Sequence, residues 1–159
     1  MSLRLPVDLY SPDHISLHIQ ELRAYIGEKR NAAAQVKAGG EAESPSLSST
    51  LTALLHSAAV KAEDMRALEG VVKDLEVLRD KAPVVHLTFA AMPNRTLIRQ
   101  LTVWFRNQVH PYTLLTVAMR RDIGGGMMLR TGSNIYDFSF RGQILRHKER
   151  ISELFESVR

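Results

Sequence analysis

Residues 84–119 run VVHLTFAAMPNRTLIRQLTVWFRNQVHPYTLLTVAM, and the period of the apolar positions changes twice within them. Over Val84–Phe89 the residues alternate, with Val85, Leu87 and Phe89 against Val84, His86 and Thr88, and β-branched types dominate; that pattern predicts a strand. From Met92 the spacing becomes helical, with Leu97, Leu101, Trp104 and Phe105 on the expected inner side. His110 ends the helix because a residue before proline is pushed out of the α region. YTLLTVAM (112–119) is apolar on both sides and is therefore expected as a second strand, central in its sheet.

Downstream, GMMLRT (126–131) predicts a third strand that points Met127 and Met128 to opposite faces. Gly132, Ser133 and Asn134 supply turn chemistry, and IYDF (135–138) a short fourth strand. Ser139 is placed to cap a last helix whose buried stripe is expected to be Phe140, Ile144, Ile151, Leu154, Phe155 and Val158. Upstream, Ser11 and Pro12 open a helix within residues 1–36. Its narrow stripe, Ile15, Ile19, Leu22 and Ile26, predicts docking onto a partner helix. Residues 37–50 are rich in Gly, Ser, Ala, Pro and Glu and form the expected linker, followed by a helical segment over 51–81 that Pro83 stops. The expected class is α+β: a helical amino-terminal region, then a small β-α-β-β-β-α domain over 82–159.

The 159 residues suit a single domain with a small helical addition, and zero cysteines exclude disulfides, thiol nucleophiles and thiolate metal sites. No apolar run reaches the length of a membrane span, and the first residues lack the apolar core of a secretory leader, so a cytosolic location is expected. The net charge is +4, and the excess is carboxyl-terminal: from Arg120 onward there are 8 basic and 5 acidic residues. Such an end suits an acidic protein partner, nucleic acid or anionic lipid, or a solvated helix face.

Several constellations invite chemistry and fail on spacing. Gly124, Gly125 and Gly126 resemble a phosphate cradle, but a strand follows where a helix amino end is required, which leaves a bend or a close backbone approach. His14 and His18 lie one turn apart with Glu21 following, yet nothing resembles HExxH; no metal and no cofactor is expected. His110 is accounted for by the helix end and its proline, and His86 by the polar side of a strand. Ser139 beside Asp137 lacks the strained GxSxG turn of a nucleophile, and helix capping accounts for it. A small basic nucleic-acid-binding domain is the alternative function, with Arg120, Arg121, Arg130 and Arg141 near strand ends, but FRGQILR lacks aromatic interleaving.

The ordered set Ile123-Gly124-Gly125, Arg130-Thr131-Gly132, Ile135-Tyr136-Asp137-Phe138-Ser139 and Arg141-Gly142 resembles the carboxyl-terminal signature of the F-type ATP synthase delta subunit, the bacterial counterpart of the oligomycin-sensitivity-conferring protein. The resemblance extends back through PVVHLTFAAMP (83–93) and the Trp104 helix. Phe138 stands where that family often has glycine, and three helical patterns precede the sheet where the family has a six-helix bundle. The resemblance implies a noncatalytic stator subunit that links the alpha/beta catalytic head to the b-subunit peripheral stalk at the cytoplasmic face of the cell membrane. It implies no small-molecule ligand, and membrane association only through the complex. Arg120, Arg121, Arg141 and Arg146, together with Ile15, Ile19, Leu22 and Ile26, are the residues expected to touch those partners.

Overall fold

The computed structural model describes residues 4–37 and 46–146. Three helices form one layer: α1 (Pro12–Lys37), α2 (Ser49–Ser57) and α3 (Met65–Lys81). Each starts on a side-chain cap. Ser11 Oγ accepts the His14 N–H at 3.1 Å, Ser48 Oγ accepts from Leu51 at 3.3 Å, and the Asp64 carboxylate accepts from Arg66 and Ala67 at 3.1 and 3.0 Å. Glu21 of α1 ties the second cap down, taking the Ser48 N–H at 2.7 Å and its hydroxyl at 3.1 Å.

The remaining elements are β1 (Val84–Phe89), α4 (Arg95–Gln108), β2 (Leu114–Met119), a 3₁₀ turn (Arg121–Ile123), β3 (Gly126–Thr131), β4 (Asn134–Ser139) and α5 (Phe140–Arg146). The chain is thus α+β. The sheet order is β2-β1-β3-β4, with β1 and β2 parallel because α4 crosses between them, and the other pairs antiparallel.

β2 is an edge strand, which corrects the expected central position. Its two apolar faces report two covered faces, not two strand neighbours: Leu114 enters the helical core, while Leu115 enters the core between sheet and α4. The free edge is closed at its start by the amino-terminal segment, where the Tyr10 carbonyl accepts the Leu115 N–H at 2.6 Å.

Two further expectations about facing change. On α4 the buried residues are Ile98, Thr102 and Phe105, whereas Leu97 and Trp104 are exposed, because the helix is rolled toward the amino-terminal segment. That roll is held by Arg106, whose guanidinium donates to the carbonyls of Leu5, Pro6 and Leu9, and by Arg95 and Arg99, which pair with Asp8. On α5, Phe140 and Ile144 are exposed and Gly142 is the buried residue. Ser139 Oγ accepts the Gly142 N–H at 3.0 Å, and Gly142 lies so close to the Asp137 carboxylate that no Cβ would fit. Residues Ile151, Leu154, Phe155 and Val158 of the expected stripe lie outside the described residues.

Candidate functional site

Alternation divides the sheet into two faces. On one, Val85, Leu87, Phe89 and Leu115 pack beneath Phe105 and Leu101 of α4. The register extends that face to Leu129 and Tyr136 beside Leu87, and to Met127 and Phe138 beside Phe89. Leu101 belongs to the same cluster as Met127 and Leu129, whereas Trp104 lines an open groove on α4 with Val7, Gln100 and Val103. Met127 and Leu129 of β3 are partly buried, while the β4 side chains on that sheet face are exposed among the described residues. Trp104 is 54% exposed, Phe138 51% and Tyr136 47%. A group of large exposed aromatics next to aliphatic side chains is the composition of a protein-docking surface.

The four arginines expected to meet a partner come together at one end of the sheet. Arg120 and Arg121 begin the 3₁₀ turn, Arg141 and Arg146 belong to α5, and the Gly125 carbonyl accepts the Phe140 N–H at 3.0 Å to join the two segments. Their availability differs. Arg120 pairs with Asp122, and that hydrogen bond holds the Asp122 carboxyl below its ordinary range. Arg146 donates to the carbonyls of Asp137 at 2.6 Å and Gly142 at 3.2 Å. The Arg121 and Arg141 side chains are exposed and neither makes a side-chain hydrogen bond or ion pair among the described residues, though the Arg141 charge acts on Asp122 and Asp137. Asp137, held low by its bonds to Ser139, stays ionised beside Arg146 and Arg141.

The other four expected contact residues are placed differently. Ile15, Ile19, Leu22 and Ile26 are buried in the chain's own core against Leu51, Leu54, Leu68, Val72 and Leu75. The partner helix that the stripe requires is α3, with Arg23–Glu76 and Arg30–Glu69 pairs along the outside of the seam. These isoleucines and the leucine are therefore not a docking surface for another chain.

The remaining polar candidates are placed as structural groups. His14 contacts the Asp8 carbonyl at 3.1 Å, His18 contacts Glu21 at 2.9 Å, and no cluster of three metal-ligating side chains occurs among the described residues. His86 Nδ1 and Thr116 Oγ1 lie 2.5 Å apart on the second sheet face. That face is open over a groove of about 470 Å³ lined by Thr88, Met128, Arg130 and Ile135 among others. The three glycines turn the chain: Gly124 and Gly126 have φ of 73° and 77°, and a Cβ on Gly126 would strike the Phe138 carbonyl.

Sequence reasoning missed Tyr136 and Phe138 as surface groups. Alternation along β4 puts them on one face, but how far α4 spreads over that face depends on helix placement, which no local pattern carries. No described helix is long and apolar enough to cross a membrane. Comparison of the sequence with protein-family models and with curated proteins gave no match.

Proposed function

We propose that this chain is a noncatalytic stator subunit of an F-type ATP synthase, of the delta type, bound at the cytoplasmic face of the cell membrane through the complex. It joins the alpha/beta catalytic head to the b-subunit stalk. A stator part has to hold two partners under torque, which calls for apolar anchors with a charged rim and not for reactive side chains. The observation that carries this reading is the set of half-exposed aromatics Trp104, Tyr136 and Phe138, with the exposed Arg121 and Arg141 at the end of the same sheet. The ordered glycine, arginine and Asp-x-Ser steps from Ile123 to Gly142 supply the family link.

The test is a binding assay of the full chain against a b-type stalk segment and, separately, against the assembled catalytic head. Stalk binding is expected, and it weakens at least about tenfold in Trp104→Ala/Tyr136→Ala, the loss typical of anchor side chains. A nucleic-acid-binding domain is the rival reading, since Tyr136 and Phe138 are strand aromatics that bases can stack on. Binding to RNA that falls steeply with salt, with no affinity for the stalk segment, would overturn the stator reading.

A further inference from the structure

We propose that the groove on the second face of the sheet is a binding site for a small organic carboxylate with an apolar body. The register lays one side chain from each strand in a row across that face, Thr116, His86, Arg130 and Ile135, with Ala118, Thr88 and Met128 in the row beside it. Leu114 and Val84, the preceding same-face residues of β2 and β1, pack into the helical core. The helical layer therefore covers the start of this face, and the groove of about 470 Å³ opens where that cover ends. Its size is that of a site for one small molecule.

The polar groups of the groove are open to a ligand. The Arg130 side chain is exposed and makes no hydrogen bond or ion pair among the described residues, and the Thr88 hydroxyl makes no hydrogen bond among them. His86 Nδ1 lies 2.5 Å from Thr116 Oγ1, which fixes the ring and leaves Nε2 for another partner. The neighbouring charges are already matched. Arg120, which also lines the groove, pairs with Asp122. Asp137, opposite Met128 on β4, accepts the Ser139 N–H and feels the charges of Arg146 and Arg141. One unmatched positive charge, that of Arg130, is left in the groove.

These features select the ligand class. A single guanidinium matches a single negative charge, and its planar fork donates two parallel N–H bonds to a carboxylate. The Thr88 hydroxyl and His86 Nε2 add hydrogen bonds, and Met128, Ile135 and Ala118 supply apolar surface for the body of the ligand. Phosphate is a poorer match, because its sites draw on several backbone N–H groups at a helix start or a glycine nest. The N–H groups of these strands lie in the plane of the sheet, directed along its ladder and not at the groove. Tyr136 and Phe138 alternate to the other face, so this site does not rest on the stator reading.

Ring-nitrogen NMR of the full chain follows His86 as sodium benzoate is added, with the His86 signals assigned from His86→Gln. Benzoate is expected to move them saturably, while benzyl alcohol, the same ring without the charge, leaves them in place. Arg130→Gln is expected to weaken benzoate at least about tenfold through loss of the charged hydrogen-bond donor. Arg130→Lys is expected to restore only part of this, because the planar fork is gone. Arg66→Gln removes an exposed charge of α3 outside the groove and is expected to change nothing. Far-ultraviolet circular dichroism verifies the fold of each variant, and the contrast between benzoate and benzyl alcohol needs no variant. The absence of a saturable benzoate response overturns the proposal, as does inorganic phosphate bound as tightly as benzoate. An equal loss in Arg66→Gln overturns it in favour of diffuse charge attraction. A response to an oligoglutamate peptide, to oligouridylate or to higher protein concentration in place of benzoate also overturns it and gives the face to a protein, a nucleic acid or a second copy of the chain.

Discussion

The Arg106 guanidinium donates to the Leu9 carbonyl across 2.7 Å, joining a helix of the α+β layer to a residue nearly a hundred positions earlier in the chain. The same group also reaches the Leu5 and Pro6 carbonyls, both at 3.0 Å, so one side chain gathers the whole amino-terminal strap. No carboxylate pairs with it among the described residues, and burial pushes its pKa below the ordinary arginine value. Carbonyl dipoles therefore stand in for a counter-ion. Arg106→Ala is expected to destabilise the fold by about 2–4 kcal/mol, since three part-buried hydrogen bonds from a charged donor are lost, one of them to the carbonyl of the buried Leu9. Arg106→Lys is expected to restore only part of this, because an ammonium cannot span the three acceptors as a planar fork does. Urea unfolding of the full-length variants measures both.

Glu21 is predicted to make stability depend on acid. Burial works to raise its pKa, but the Ser48 N–H, His18 and the Ser48 hydroxyl together bring it below the ordinary 4.5. A carboxyl with a lowered folded pKa contributes stability above its unfolded pKa and loses it as pH falls through the folded value. Glu21→Gln is therefore expected to cost about 1 kcal/mol at neutral pH, modest because the group is partly exposed. The gap between variant and parent should close as the pH falls below the usual carboxylate range. A gap that persists undiminished in acid would contradict this role for the charge.

Gly124 and Gly126 have nearly the same φ but different surroundings. A Cβ at Gly124 meets open space, while at Gly126 it meets the Phe138 carbonyl. Gly124→Ala is expected to cost about 1 kcal/mol from backbone strain alone. Gly126→Ala adds a steric clash within the β3–β4 ladder and is expected to cost at least about 3 kcal/mol. Thermal unfolding of the pair separates strain from contact, and equal costs would refute the difference.

Ile19 is predicted to matter for folding. Its side chain is buried between α1 and the α2–α3 layer, so Ile19→Ala leaves a cavity worth about 2–4 kcal/mol. An exposed docking residue would instead lose binding with stability unchanged. Denaturant titration decides between the two.

Trp104, Tyr136 and Phe138 are expected to behave in the opposite way. Each is about half exposed, so Tyr136→Ala or Trp104→Ala should change stability by no more than about 1 kcal/mol. Binding to a stalk segment should weaken in the same variants. A large loss of stability with unchanged binding would place these rings in the core and remove them as docking groups.

What the sequence determined by itself was local. The change of period across Val84–Met119 settled the strand, helix and strand, and the residue chemistry of Ser11, Ser139 and Pro83 set element ends, because caps and breakers act through backbone groups a few positions away. The alternation of Val85, Leu87 and Phe89 likewise named the inner face of β1, which its burial matches. Only the tertiary structure decided which apolar surface covers which. Ile15 to Ile26 find α3 and not another chain, the two-faced apolarity of β2 comes from two cores and not from two neighbouring strands, and Trp104 is left outside because the Arg106 clasp rolls α4 the other way. Hydrophobic burial has no direction of its own, so a stripe in the sequence specifies that a partner surface is needed and leaves its identity to the packing of distant segments.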